Sequence, residues 1–479
     1  MAEQNTFYLT TPIFYPNAKL HMGHAYTTTL SDIIVRYQRL MGKETYFLTG
    51  SDENTQKMVD AARKAGQEPL QFLGGIVANF KSLFGELGIS YDQFIRTTDR
   101  ERHWPGAQAL WKKLVAAGDI YKKEYAGLYC VGHEAFITEK DLVDGKCPDH
   151  GTTPEFIREE NYFFKLSKYT QPIKDKIESG ELCIIPETRK NEILSLLEEG
   201  LQDVSFSRPR KADWPEGLGI PVPGDGSQVM YVWCDALANY ITALGYGRDE
   251  ELYKKFWPGM HVIGKDILRF HAAIWPGMLL SAGLPLPHTL LVHGFITSGG
   301  KKMSKSLGNV IDPEELLQEY GVDAMRYFLA RHINPFEDGD ITREHFKDAY
   351  NADLANGLGN LAARIMQLAQ THLEKGTRPG ATGFPGAYTE AIEKFEVNKA
   401  LDFVWSEIAR LDQKITDTQP FKLVKTDVEA GKNLITELTQ ELYLVARMLN
   451  PFMPETNAKL KQAILDNKKP ENLFPRRDF

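Results

Sequence analysis

Apolar positions near the start of the chain change period twice. Residues 6–13 (TFYLTTPI) read as a short strand, and a loop marked by Pro12, Pro16 and Asn17 follows. An apolar stripe then recurs at Leu30, Ile33, Ile34, Tyr37, Leu40 and Met41, which is helical spacing. Gly42 stops that helix. Thr45-Tyr46-Phe47-Leu48 is the next strand, ending in Thr-Gly-Ser-Asp. Strand–helix–strand is the unit of a parallel sheet, and ligands of such sheets bind where strand carboxyl ends meet helix N-termini.

From about 117 to 215 the pattern gives way to short runs, turn residues and a Cys/His cluster. The strand pattern returns at Val229-Met230-Tyr231-Val232-Trp233, at His261-Val262-Ile263-Gly264 and at Leu290-Leu291-Val292. This predicts one α/β domain interrupted by an insertion. His271 to Gly300 contains no Asp, Glu, Lys or Arg, but it carries Pro276, Pro285, Pro287 and three histidines. A buried helix followed by a buried strand fits it better than a lipid-spanning helix. After about 350 the strands stop. Residues 352–370, 388–417 and 430–449 show long apolar periodicity and predict a helical bundle, with a Gly/Pro-rich loop at 375–387.

The 479 residues are enough for two to four domains. With 42 % hydrophobic and 25 % charged residues, disordered, collagen-like and disulfide-scaffold classes are excluded. Residues 351–479 hold 17 basic and 17 acidic side chains, so the whole net charge of −8 lies in residues 1–350. Any nucleic acid must therefore be held by local patches, and the neutral last quarter approaches a polyanion more easily than the rest. Four cysteines are too few to staple such a chain, which predicts a reducing compartment and a cytoplasmic protein. Cys183 and Cys234 lack partner spacing and are expected as buried hydrophobes. The first residues lack the basic start and apolar core of a signal peptide.

Two strings carry chemistry. His21-Met22-Gly23-His24 opens the first helix, where free N–H groups and the dipole favour phosphate, and Gly23 permits close approach. By itself it also reads as two surface histidines in a turn. Gly299-Gly300-Lys301-Lys302-Met303-Ser304-Lys305-Ser306 follows a buried strand. Glycines and three lysines suit a mobile loop closing on a pyrophosphate whose charge grows in a transition state. By itself it also reads as a solvated basic loop. No Gly-x4-Gly-Lys-Ser/Thr string is present, so the phosphate approach is not a P-loop.

Together the strings resemble the paired signatures of class I aminoacyl-tRNA synthetases. Residues 10–24, 47–54, 231–240, 262–278, 292–308 and 320–328 further resemble the methionyl-tRNA synthetase family. The chain is too short for the large editing insertion of the leucine, isoleucine and valine enzymes. The resemblance implies an α/β Rossmann-like parallel-sheet catalytic domain with a zinc-knuckle insertion, followed by an all-α bundle. It divides into 1–116 and 216–300 (catalytic halves), 117–215 (insertion), 301–350 (loop and stem-contact region) and 351–479 (anticodon-binding).

It also implies roles. His21, His24, Lys302 and Lys305 are catalytic, and ATP is held by Gly23, His24, Gly264, Asp266, Lys302, Ser304 and Lys305. Methionine is held by Ile13, Tyr15, Asp52, Trp233, Ala236, Leu237, Tyr240, Phe270, His271 and Trp275. Aromatics and aliphatics suit a polarizable thioether, and Asp52 accepts the ammonium. Leu237 stands where some relatives have Pro. ATP comes with Mg2+, and the partners are L-methionine and initiator and elongator methionine tRNA, with no membrane. A monomer is expected.

Cys130-x2-His133 and Cys147-x2-His150 are two pairs able to close one tetrahedral Zn2+ site, although the family usually has Cys where His133 stands. The alternative is a knuckle held by packing alone. Asn360-x3-Arg364 puts an amide and a guanidinium one turn apart, which suits splayed-out bases and also suits a solvated helix face. In the family this pair reads the anticodon, and a tryptophan after Pro stacks on a base. Here Gln419-Pro420-Phe421 occupies that segment, so Phe421 either stacks with less area or packs in the bundle core. Two rivals stand beside methionine–tRNA ligation: a non-catalytic tRNA-binding paralogue, and a class I synthetase for another small apolar amino acid. A decayed paralogue should have lost signature residues, yet His21, His24, Lys302 and Lys305 are all present.

Overall fold

The structure is a computed structural model, and it describes residues 5–130, 135–148, 151–211, 214–303, 309–377 and 383–477. Its centre is a six-stranded parallel sheet built from β1 (Thr6–Phe14), β2 (Glu44–Ser51), β3 (Gln93–Arg96), β4 (Cys183–Ile185), β5 (Met260–Gly264) and β6 (Thr289–His293). The strand order is β3-β2-β1-β5-β6-β4. Leu9 faces Phe47 on one side and Met260 on the other, and Ile263 faces Val292. These strands read as continuous apolar runs because both faces of the sheet are covered.

The helix Met22–Leu40 joins β1 to β2 and buries Leu30, Ile33, Ile34 and Tyr37 as its stripe predicts. Gly42, at φ +87, ends it. Met41 lies outside the buried stripe and is exposed.

Three expectations need correction. Val229–Trp233 is not a strand of the parallel sheet. Asp225–Met230 is antiparallel and pairs with Ser207–Pro209 and Pro221–Val222, while Tyr231–Trp233 caps and opens the helix Val232–Thr242. The apolar run straddles a strand end and a helix start because both are buried. Cys183 is exposed on edge strand β4, whereas Cys234 is buried as expected. The predicted helix 388–417 is two helices, Gly386–Glu393 and Val397–Thr418, broken where Phe395 takes φ 60.

A four-stranded antiparallel sheet (Ala135–Ile137, Ile120–Cys130, Glu155–Phe164, Val204–Ser205) forms a second layer of the molecule. The uncharged stretch holds a buried turn of π-helix (Phe270–Ile274), the helix Trp275–Ser281 and then β6. Among the described residues no helix is long and apolar enough to cross a membrane. Beyond Asp340 the described residues contain helices and no strand.

One apolar core runs from β1 and Met22–Leu40 through Val322–Arg331 into the helical region. At its centre sits Arg326, fully buried and paired with Asp32 of the first helix at 2.7 Å. Its remaining donors reach the carbonyls of Leu87, Pro451 and Phe452 at 2.8–3.1 Å. This guanidinium ties the histidine-bearing helix to the carboxyl-terminal helices. A buried ion pair is sustainable only with such additional hydrogen bonds.

Candidate active site

The start of the helix Met22–Leu40 is capped by its own histidines. His21 Nδ1 accepts from Gly23 N–H at 3.1 Å, and His24 Nδ1 accepts from His21 N–H at 3.1 Å. A neutral imidazole has one donor and one acceptor nitrogen. Both rings therefore carry their proton on Nε2. The rings lie 3.8 Å apart, with Phe14 edge-on against His24 at 4.8 Å. Burial, and next the His21 ring, push His24 well below the ordinary histidine range, so it is neutral at pH 7. A Cβ on Gly23 would come within 2.9 Å of His21 Cε1 and displace the cap. The outcome is two N–H donors beside a helix N-terminus, an arrangement suited to an anion.

The basic loop starts from a hairpin. Ile296–Ser298 pairs with Lys301–Lys302 across Gly299 and Gly300, both left-handed at φ 62 and 69. A two-residue turn of this hand matches strand twist and favours glycine. Asp340 Oδ1 accepts from Gly300 N–H at 2.8 Å and from the Thr297 hydroxyl at 2.9 Å, fixing the base of the hairpin. The backbone of Lys302 is in this strand; Ser304 and Lys305 lie outside the described residues.

Gly264 and Asp266 stand where β5 ends, and a Cβ on Gly264 would meet Asp266 Oδ1 at 2.7 Å. His293, at the end of β6, donates from Nδ1 to Gly294 O at 2.7 Å and accepts from the Thr27 hydroxyl at 2.8 Å. Burial lowers its pKa, and the link holds the first helix to the strand ends.

Beside these ends lies an aromatic group. Trp233 stacks on Phe270 at 3.7 Å and 6°, with His271 edge-on to Trp233 at 6.2 Å. The Tyr240 hydroxyl donates to His271 Nε2 at 2.7 Å, and His271 Nδ1 donates to Ile267 O at 2.9 Å. Burial takes His271 down to about 4, so this chain is neutral. Burial, and the nearby Asp52 charge, raise the Tyr240 phenol. Asp52 is buried just past β2, where its N–H donates to Phe14 O at 2.9 Å. Trp275 is buried 6.0 Å from Tyr240, and Ala236 and Leu237 are buried on the same helix as Tyr240. Ile13 and Tyr15 pack half-buried on this cluster. Trp233, Phe270, His271, Tyr240 and Trp275 thus form one aromatic group, with the Asp52 charge close enough to act on Tyr240.

Sequence reasoning missed the layer beneath them. His261 stacks under Tyr240 at 4.1 Å, accepts from Trp275 Nε1 at 3.2 Å and donates to the Thr10 hydroxyl at 2.8 Å. Asp235 bonds His103 Nε2 at 2.6 Å and Asn54 Nδ2 at 2.7 Å, and Asn54 accepts from Gly219 N–H at 3.0 Å. This buried network fastens the Trp233–Tyr240 helix to the segment carrying Asp52. The available signal was an Asp in a largely apolar helix and a His in an apolar strand.

Three groups lie elsewhere. Asn360 and Arg364 are exposed one turn apart on the helix Asn360–His372, with Arg364 ion-paired to Asp412. Phe421 is 45 % exposed, with the Lys422 ammonium 6.0 Å from its ring centre, which rules out a core position. Cys130 ends its strand opposite Ala135, and Cys147 follows the Val143–Lys146 bridge; both are buried. His133 and His150 lie outside the described residues, and among the described residues no three metal-binding side chains cluster.

A model of the class I tRNA synthetases, methionine type, matches residues 7–152 and 139–366. The methionine–tRNA ligase of Clostridium acetobutylicum is 45 % identical over 96 % of this chain and 73 % of its own length. The chain belongs to the methionyl-tRNA synthetase family. Another family member, the methionine–tRNA ligase of Thermotoga maritima, is 40 % identical over 97 % of this chain and 76 % of its own. Among solved family structures, the Mycobacterium tuberculosis methionyl-tRNA synthetase in complex with methionyl-adenylate superposes with a TM-score of 0.87. It is 36 % identical and matches over 99 % of both chains.

Proposed function

We propose that this protein is a methionine–tRNA ligase. It joins methionine to ATP as methionyl-adenylate, releases pyrophosphate, and passes the acyl group to the terminal ribose of initiator and elongator methionine tRNA. The observations that carry this reading are two neutral Nε2–H donors at the start of the first helix, just past β1, and an aromatic group of Trp233, Phe270, Tyr240 and His271 near the Asp52 carboxylate. Family membership supports it.

In this reading Asp52 holds the substrate ammonium, which directs the methionine carboxylate toward the α-phosphate. The thioether lies among Trp233, Tyr240, Phe270, His271 and Trp275, where a neutral His271 adds no charge to repel or attract. His21 and His24 donate to the phosphates as charge builds, and Lys302 and Lys305 serve the leaving pyrophosphate. Asp266 serves the ribose, with Gly264 leaving room. The protein forms no covalent intermediate; positioning and charge stabilisation do the work. Mg2+ accompanies ATP and offsets phosphate charge.

Asn360, Arg364 and Phe421 are the anticodon contacts. Exposure of all three supports that assignment. Two buried thiols at turns, Cys130 and Cys147, supply soft ligands for one structural zinc completed by His133 and His150. The division into catalytic halves, insertion, loop region and bundle, a monomeric state and a cytoplasmic location belong to the same proposal. The test is charging of a methionine tRNA transcript with labelled methionine and ATP. Acid-precipitable methionyl-tRNA supports the reading; a protein that binds the tRNA and never charges it is the non-catalytic paralogue.

A further inference from the structure

The turn at Gly264–Asp266 and the lysine hairpin leave neighbouring strands of the parallel sheet, one after β5 and the other after β6. Lys265, between Gly264 and Asp266, has no role so far. Its ammonium donates to both carboxylate oxygens of Asp338, at 2.7 and 2.8 Å, and lies 4.4 Å from the centre of the Phe295 ring. The Phe295 N–H donates to Asp338 Oδ1 at 2.9 Å. One carboxylate thus grips the residue beside Asp266 and the backbone just beyond β6. Burial opposes its ionisation, but the Lys265 and Phe295 contacts hold the Asp338 carboxyl below the usual range, so it is charged at pH 7.

Two residues further on, Asp340 fixes the base of the hairpin through Gly300 N–H and the Thr297 hydroxyl. The two carboxylates belong to one extended strap, 333–341, laid along the hairpin strand. Gly339 N–H donates to Phe295 O at 2.8 Å, and Ile341 N–H donates to Thr297 O at 3.0 Å. The approach is close enough to require glycine on both sides. A Cβ on Gly294 would collide with the Glu337 carbonyl, and one on Gly339 would meet Ile333 Cγ2 at 2.7 Å. Ile333 and Ile341, at the ends of the strap, are fully buried in the core shared with the histidine-bearing helix.

We propose that Asp338 is a positioning residue for adenylate formation, an inference resting on the ligase reading above. It sets the distance between the adenosine end of the site and the lysines that serve the leaving pyrophosphate. ATP spans these two elements, with its ribose at Asp266 and its outer phosphates at Lys302 and Lys305. A ligand held at both ends loses binding energy to ordering unless the ends are already spaced to receive it. Asp338 supplies that spacing through Lys265 on one side and the hairpin strand on the other, and itself touches no reacting group.

The test is ATP–pyrophosphate exchange with methionine, run on the full chain and on Asp338→Ala, each with and without Lys302→Ala. Asp338→Ala should lower kcat/KM for ATP about tenfold and leave the KM for methionine unchanged. Because Asp338 acts through the hairpin, its cost should shrink to about twofold in the Lys302→Ala background. Urea unfolding accompanies each variant. If Asp338→Ala unfolds early, Lys265→Met, which leaves the Phe295 N–H bond in place, should show the same loss confined to ATP. An unchanged kcat/KM for ATP, a KM for methionine that rises with that for ATP, or an equal cost in both backgrounds overturns the proposal. Absence of exchange in the unsubstituted chain instead overturns the ligase reading.

Discussion

His24 does separate jobs with its two ring nitrogens, and two substitutions pull them apart. Nδ1 accepts His21 N–H at 3.1 Å and completes the cap, while Nε2–H is the donor assigned to phosphate. His24→Asn places an acceptor near the Nδ1 position and deletes the Nε2 donor. Caps are worth about 1 kcal/mol, so keeping this one should hold the stability change within about that amount. A donor aimed at developing charge is worth about 3 kcal/mol, or about 10²-fold in rate. His24→Gln reverses the pattern: its amide reaches the Nε2 position, and the cap is lost. Single-turnover adenylate formation and urea unfolding, run on both variants, should show Asn slow but stable and Gln faster but less stable. Because burial and His21 hold the His24 pKa down, activation should show no His24 inflection between about pH 6.5 and 8. The unfolded chain takes up a proton near pH 6.5 that folded His24 refuses. Stability therefore falls as pH drops below that value, and the Asn variant should lose less of it. A wild-type activation rate in His24→Asn, or rate losses in both variants that merely follow stability, refutes the donor assignment.

Arg326→Met should cost about 3–5 kcal/mol in urea unfolding, because the buried carbonyls of Leu87, Pro451 and Phe452 lose their donor and Asp32 keeps only Arg36 as a counter-charge, and adding Asp32→Asn should restore only the smaller, carboxylate part. Burial opposes ionisation of Asp32, but Arg326 and Arg36 hold its carboxyl below the usual range. Its stabilising share is present above about pH 4 and lost as acid titrates it, a dependence the double variant should lack. Phe421→Trp should leave the melting temperature unchanged and keep or lower the KM for tRNA, since the ring is exposed; a lower melting temperature with unchanged KM removes Phe421 from the site. Lys305→Ala should slow adenylate formation about 10²-fold with little change in methionine affinity, and unchanged burst kinetics would sink its role. Metal analysis should find one zinc per chain, lost in Cys130→Ser; an active, folded, metal-free protein shows the knuckle is held by packing.

Much of the catalytic half was legible because its elements are long, buried and bounded by breakers. β1, the stripe from Leu30 to Tyr37, and β6 each read correctly from apolar period alone. β3 and β4 did not, being edge strands of four and three residues, too short for a period to register. The break at Phe395 carries no Gly or Pro; local packing, not a breaker residue, holds its left-handed backbone. Motifs located His21, His24 and the hairpin, but not His261, His103 or Asp235. Their roles depend on partners 14 to 251 positions away, which no local window contains.

The most direct measurement is amino-acid-dependent ATP–pyrophosphate exchange, run with each of the twenty amino acids and no tRNA. A pocket of stacked aromatics, one carboxylate and a neutral His271 predicts exchange with methionine well above every other amino acid. Exchange led by another apolar amino acid, or none with any of the twenty, would contradict the account.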